Sequence, residues 1–347
     1  MNQEDEARVA HPRYSRQVLF DGIGNEGQVR ISASRVALVG CGALGAAQAS
    51  LLVRAGVGTV RIIDRDFVEE SNLQRQILFD EEDVRSVLPK AVAAERKLSA
   101  VNSLVKIEGI VEDINASTIA RLVAGFDLII DATDNFDTRF IINDYCVKTL
   151  TPWVYGACVG SYGVTFPIIP KETACLRCVF ETAPPPGMSP SCDTAGVIGP
   201  IVGVIASLQA AEALKLLSGQ KDRINRRMTL IDLWENQLNS MELTPRRADC
   251  PACGRGEFTF LDGASGAGAT SLCGRNSVQI TRAGVQLDLN ALAERLAPLG
   301  SVEKNRFLVR VNIDKHQLTV FADGRAIISG THDMALAKSL YARYVGT

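Results

Sequence analysis

An apolar stretch, Val36-Ala-Leu-Val39, runs into Gly40-Cys-Gly-Ala-Leu-Gly45 and then into a small-residue stretch that ends near Ala55. An apolar run that breaks at a glycine-rich turn and resumes with helical spacing predicts strand, tight turn and helix. A second apolar run, Val60-Arg-Ile-Ile63, stops at Asp64 and completes a βαβ unit of the kind found in doubly wound parallel sheets. Residues 105–111 and 128–130 predict further strands, the latter leading into Asp131-Ala-Thr-Asp134. After Tyr155, apolar segments spaced by glycine predict antiparallel strands as far as Pro170. Residues 183–190 are proline-rich and predict a mobile loop, because proline lacks an amide donor and resists both helix and ladder. A helix over residues 201–217, stopping before Gly219, and a strand over 228–234 follow. The expected class is α/β: a doubly wound, Rossmann-like, mostly parallel sheet with an antiparallel extension, plus a small α+β domain at the carboxyl end.

The glycine-rich stretch 254–274, with Gly-Ala-Ser-Gly-Ala-Gly inside it, reads as a flexible linker between a domain over 12–253 and a second over 275–347. In the second, strands are expected at 308–313 and 318–321 and helices at 289–296 and 334–344. Its chemistry is not legible. The chain has 347 residues and a 46% apolar content, enough for two cores. Its 37 basic and 39 acidic residues nearly cancel, so no overall pull toward nucleic acid or anionic membrane is expected. The charged amino terminus lacks the apolar stretch of a secretory signal, and the apolar segment 197–217 holds Gln209, Glu212 and Lys215, which fits a buried helix better than a membrane span. A cytoplasmic protein is expected.

The glycine turn alone fits any nucleotide, and with Asp64 about 20 residues downstream it fits a nicotinamide or flavin enzyme equally well. The difference lies in the next segment, where Asn72, Arg75 and Lys90 add an amide donor and two cations suited to a triphosphate. Asp134, after a buried strand end, suits Mg²⁺, which prefers oxygen ligands. Each of these charges taken alone reads as an ordinary solvated side chain; their order along the chain argues otherwise. The nine cysteines include two Cys-x-x-Cys pairs, Cys175 with Cys178 and Cys250 with Cys253, which together can supply four thiolates to Zn²⁺. Their separation exceeds that of a simple zinc ribbon, so spacing leaves zinc and separate thiols both open. Cys192 follows the proline-rich loop and precedes a helix start that would favour its thiolate; an ordinary thiol is the competing reading. Cys41, Cys146 and Cys158 suit small core positions.

The sequence resembles the ThiF/MoeB family, the bacterial activating enzymes for the sulfur carriers ThiS and MoaD. The likeness rests on Arg13-Tyr-Ser-Arg-Gln17, the glycine turn, Asp64, Ser71-Asn-Leu-Gln-Arg-Gln76, Pro89-Lys90, Asp131-Ala-Thr-Asp-Asn135, both cysteine pairs and Cys192-Asp-Thr-Ala-Gly-Val-Ile-Gly-Pro200. It implies adenylation of a carrier's carboxylate with ATP and Mg²⁺. Gly40, Gly42, Ala43, Gly45, Ser71 and Asn135 would lie near the nucleotide, Asp64 on the ribose, Asn72, Arg75 and Lys90 on the phosphates, and Asp134 on magnesium. It further implies a homodimer in which Arg16 reaches the ATP of the neighbouring subunit. Zn²⁺ on the four paired cysteines and a covalent link between Cys192 and the carrier also follow from the likeness. The partner implied is a ubiquitin-like β-grasp carrier with a Gly-Gly tail, approaching along Gly156, Gly160 and Gly163. The stretch 192–219 is closer to ThiF, so a ThiS-type carrier is expected ahead of a MoaD type. No cysteine beyond the linker sits in a rhodanese-like loop, so sulfur would come from a separate donor. Two alternatives stay open on the residues: a scaffold that binds nucleotide and carrier without catalysis, and a nicotinamide-dependent dehydrogenase.

Overall fold

The computed structural model describes residues 11–182, 192–263, 269–272, 276–280 and 285–346. The chain divides into two compact units, residues 1–264 and 265–347. In the first, β1 (Arg35–Val39), β2 (Thr59–Ile63), β3 (Lys106–Ile110), β4 (Leu128–Asp131), β5 (Trp153–Val159), β6 (Tyr162–Ile168), β7 (Arg227–Asp232) and β8 (Gln237–Glu242) form one sheet in the order β3-β2-β1-β4-β5-β6-β7-β8. Pairing is parallel from β3 to β5 and antiparallel from β5 to β8. The order reverses between β1 and β4, and ligands of open α/β sheets lie in the crevice at such a reversal, beyond the carboxyl ends of the strands.

Alternate residues of β1 serve two cores. Val36 and Leu38 pack with α2 (Ala43–Ala55) and α3 (Lys90–Val101), while Ala37 and Val39 pack with α4 (Phe136–Thr149). A strand buried on both faces has to be apolar throughout, which is why the sequence pattern announced it. Before β1 comes α1 (Gly24–Ala33), a helix the sequence reading lacks: it opens on glycine, has no side-chain cap and is polar on most of its surface. The segment 201–217 belongs to α5 (Gly199–Ser218), whose Pro200 sits in the first turn, where a missing amide costs nothing. By length and composition α5 could cross a membrane, yet it packs as a core helix, with Ile201, Val202, Ile205 and Ala206 against Leu44 and Ala47 of α2.

Two expectations are corrected. Residues 254–263 are not linker: Phe260 of the short helix Thr259–Asp262 stacks on Phe140 at 4.7 Å, and its amide donates to Asp144 Oδ2 at 3.0 Å. Within the same expected linker, Ala269–Leu272 form a strand, and its remainder, 264–268 and 273–274, lies outside the described residues, as does the proline-rich loop 183–190. Gly156 and Gly163 are glycine because α5 approaches them. A Cβ on Gly156 would stand 2.3 Å from Gln209, and one on Gly163 2.4 Å from Ile205. Only Gly160 of that trio, at φ +60 with open space around it, lacks such a packing reason.

The second unit is a six-stranded antiparallel sheet in the order β11-β12-β13-β14-β10-β9, formed by β9 (Ala269–Leu272), β10 (Ser277–Ile280), β11 (Val302–Lys304), β12 (Leu308–Ile313), β13 (His316–Phe321) and β14 (Ala326–Ser329). Val278, Val309, Val311, Leu318, Val320 and Ile328 form its core with Leu292 and Leu296 of α6 (Leu289–Leu296) and Tyr341 of α7 (Met334–Tyr344). Asp288 and Asp333 cap the two helices through backbone amides.

Candidate functional site

The turn after β1 is built for close approach. Gly40 has φ +96, and a Cβ there would meet the Ala132 carbonyl oxygen at 2.6 Å; one on Gly45 would meet the Gly40 carbonyl oxygen at 2.1 Å. Gly42 is the N-cap of α2 without a capping side chain, and Ala43 opens the helix, so the first amides of a 13-residue helix are left for an anion. Asp64 braces this turn, its two oxygens accepting from the Cys41 amide at 2.6 Å and the Asp66 amide at 2.7 Å. Burial pushes the Asp64 carboxyl up from its ordinary value, and the Lys90 ammonium opposes that shift.

Lys90 is the first residue of α3 and is 3% exposed. Its amide donates to the Asp66 carbonyl at 2.8 Å and its Nζ lies 3.5 Å from Asp66 Oδ2, which turns the side chain inward, toward the loop after β2. Next to it is a cation the sequence reading left out. Arg65 pairs with Asp113 at 3.0 Å, and its charge is felt by Asp64, Asp66 and Asp134. Nothing local flags that pairing, because Asp113 follows a different strand.

The turn 71–76 closes the opposite side. Asn72 and Gln76 are buried, Ser71 is exposed, and Arg75 donates from Nη1 to the Ser71 carbonyl at 2.8 Å. A Cβ on Gly42 would lie 3.8 Å from Gln76 Nε2, and one on Gly199 3.3 Å from the Gln74 carbonyl oxygen, so the turn sits between the glycine loop and the start of α5. At the end of β4, buried Asp131 pairs with buried Arg139 at 3.1 Å. Burial raises the Asp131 carboxyl and the guanidinium opposes it. Arg139 also donates to the carbonyls of Thr133 at 2.6 Å and Gly156 at 3.3 Å, fixing the loop that presents exposed Asp134. Asn135 has a structural duty, capping α4 by accepting from the Thr138 amide at 2.8 Å.

Within the chain, Arg16 is not joined to this cluster, and for Cys192 only the backbone is described. Arg16 is exposed on the short helix Ser15–Val18, beside Leu19 and Phe20, which are 69% and 65% exposed. Cys192 begins a four-residue helical turn, Cys192–Ala195, that is separate from α5, and its side chain lies outside the described residues. That turn is followed by Gly196, whose carbonyl accepts from the Gly160 amide at 2.8 Å.

Cys175, Cys178, Cys250 and Cys253 bring their sulfurs within 4.8 Å of one another. The separations of 3.9 Å for Cys175–Cys178, 3.6 Å for Cys175–Cys250 and 3.4 Å for Cys178–Cys253 bracket the edge of about 3.8 Å that a tetrahedron with Zn–S bonds of about 2.3 Å requires. Hydrogen bonding among the thiols raises Cys175 and lowers Cys178, as expected where sulfurs crowd together. α4 holds this knuckle through Asn143 Oδ1, which accepts from the Leu176 amide at 2.8 Å, and through Asp144 on the Phe260 amide.

Burial pushes the Asp144 carboxyl up to about 6. An acid raised on folding adds stability that is fully present below its unfolded pKa and is lost as pH climbs through about 6. Asp144→Asn keeps an oxygen for Phe260 and removes the charge. The variant is expected to be more stable than wild type at pH 7.5, by at most about 3 kcal/mol, with the advantage shrinking by pH 5. Thermal melts at the two pH values check this; a difference that does not change with pH contradicts it.

The model of the ThiF family matches residues 14–252. The chain is 46% identical over 338 residues to the sulfur carrier protein ThiS adenylyltransferase of Bacillus subtilis, covering 96% of this chain and 99% of that protein. It is 39% identical to the Escherichia coli protein of the same description, covering 70% of this chain and 94% of that one. The Bacillus match therefore takes in the second unit. Among solved structures, the chain is similar to Escherichia coli MccB with ATP, at TM-score 0.62 and 25% identity, over 71% of this chain and 76% of that one.

Proposed function

This chain belongs to the ThiF family, and we propose that it uses ATP to adenylate the carboxyl-terminal glycine of a ubiquitin-like sulfur carrier, of the ThiS type ahead of the MoaD type. The observation that carries the reading is the inward Lys90, held with Asp64 and Asp66 beside an uncapped glycine turn. A dehydrogenase has no use for that buried cation, nor for the 71–76 turn against the loop.

In the reaction a carboxylate oxygen of the carrier forms a bond to the α-phosphorus, the bond to the bridging oxygen breaks, and pyrophosphate leaves with the electron pair. No side-chain nucleophile is needed. The amides at the start of α2 and the charges of Lys90 and Arg75 neutralise and align the phosphates, while Asp64 takes the ribose hydroxyls. Asp134, exposed beside the turn, would hold Mg²⁺, which supplies charge neutralisation at the phosphates. The four knuckle cysteines fit a structural Zn²⁺. The product is an acyl adenylate ready to receive sulfur from a separate donor, through Cys192 if the covalent route is used. Such a reaction belongs in the cytoplasm, where thiols stay reduced.

The enzyme acts as a homodimer, with Arg16 entering the partner's nucleotide site; its exposure beside Leu19 and Phe20 supports this. Arg16→Ala and Lys90→Ala homodimers should each be inactive. Mixed and allowed to exchange subunits in equal amounts, they should regain about one quarter of wild-type sites, because one of the two sites in each mixed dimer is intact. No recovery would place Arg16 in its own subunit's site. The reading as a whole is tested by ATP–pyrophosphate exchange with and without a ThiS-type carrier. Carrier-dependent exchange is expected; nucleotide and carrier binding without exchange would make the protein a scaffold.

A further inference from the structure

Gln76 ends the turn that faces the glycine loop, and it is 3% exposed. Its main chain is satisfied, the amide donating to the Asn72 carbonyl at 2.9 Å and the carbonyl accepting from the Phe79 amide at 3.1 Å. Its side chain is not: Oε1 is buried with no hydrogen-bond partner among the described residues. Leaving a buried amide oxygen unpaired costs about 1–3 kcal/mol, and an apolar side chain of similar shape would remove that cost. A packing role therefore favours methionine or leucine here, and the glutamine amide needs another reason.

Its position supplies one. Nε2 lies 3.8 Å from where a Cβ on Gly42 would stand, so the amide points at the N-cap of α2, where backbone donors already await an anion. Lys90 and Asp64 flank the same turn from the β2 side. A neutral donor held across from the helix amides is placed to grip the phosphoryl group that the helix amides hold.

Resting on the adenylation reading above, we infer that Gln76 is a catalytic residue that donates its Nε2 hydrogen to a non-bridging oxygen of the α-phosphoryl group. As the carrier carboxylate adds and pyrophosphate departs, charge spreads over the equatorial oxygens of the transferring group. A fixed donor there binds the transition state more strongly than bound ATP, so its removal acts on turnover more than on nucleotide affinity.

The experiment uses the full chain with a ThiS-type carrier and compares Gln76→Met and Gln76→Glu with wild type. Melting temperature, calorimetric ATP affinity and carrier-dependent pyrophosphate exchange are measured for each. Gln76→Met should melt at or above the wild-type temperature and bind ATP within about threefold, yet turn over about 10- to 100-fold more slowly, the effect of one lost transition-state donor. Gln76→Glu, which adds a negative charge facing phosphate, should be slower still. Wild-type turnover in Gln76→Met overturns the inference, and so does a loss of exchange that tracks a lowered melting temperature, because that is a packing role. A wild-type enzyme with no exchange at all is a different result, one that sinks the adenylation reading and this inference with it.

Discussion

Lys90→Ala should lower carrier-dependent pyrophosphate exchange by about a thousandfold or more while leaving a folded protein. Lys90 is 3% exposed, its amide donates to the Asp66 carbonyl and its Nζ lies 3.5 Å from Asp66 Oδ2, so bulk water cannot replace its charge, and the neighbouring cation Arg65 is already paired with Asp113. Cations fixed against a transferring phosphoryl group contribute about 10³–10⁵ in rate in related chemistry, because a dry, preset charge needs no reorganisation as the reaction proceeds. The fold should survive, since Asp66 keeps some contact with solvent and α3 still packs through Ala91, Ala94 and Leu98. Far-ultraviolet circular dichroism and a melting curve would show this beside the exchange assay. Arg75→Ala should follow the same direction with a smaller loss, because that guanidinium is only half-buried and rests on the Ser71 carbonyl. Exchange within tenfold of wild type in Lys90→Ala contradicts the assignment.

Cys250→Ser should release zinc and lower the melting temperature by about 10 °C. Cys250 is fully buried, 3.6 Å from Cys175, and its pair closes a chain excursion that runs through α5, β7 and β8 back to α4. Without the metal, three crowded thiols and a buried hydroxyl would remain in an apolar cluster with Phe140, Leu176 and Phe260 packed around it. A loss of about 3–4 kcal/mol corresponds to roughly 10 °C in a unit of this size, at 2–4 °C per kcal/mol. Elemental analysis should fall from about one zinc per wild-type chain to near none. A wild-type protein without zinc, or a variant that melts with wild type, contradicts the four-cysteine site.

Legibility in the sequence followed the physics of each element. β1 and β4 are buried on both faces, which forces continuous apolar runs that any reading detects, while β2 keeps Val60, Ile62 and Ile63 buried and leaves Thr59 and Arg61 partly exposed. β8 left no such trace, because every residue from Gln237 to Glu242 is exposed and the strand exists through pairing with β7 alone. The stretch 254–263 reads as linker from its glycines, yet Phe260 anchors it to α4, and one aromatic residue is a weak signal until its partner Phe140 is in place. In the site, Asp64 and Lys90 stand among many other charges, and only the order of the residues around them along the chain sets them apart in the sequence. Gln76 is silent in the sequence, since a neutral amide carries no charge to count, and its unpaired oxygen exists only once the turn has folded. Arg65 escaped for the same reason, its partner Asp113 being supplied by the segment after β3.

The most direct test of the central claim is to incubate the purified full chain with ATP, Mg²⁺ and a ThiS-type carrier ending in Gly-Gly and to record the intact mass of the carrier. The carrier is expected to gain one adenylyl group, with pyrophosphate released in step, and to gain nothing when the chain carries Lys90→Ala. A carrier of unchanged mass in the presence of correctly folded, ATP-binding wild-type enzyme would contradict the account.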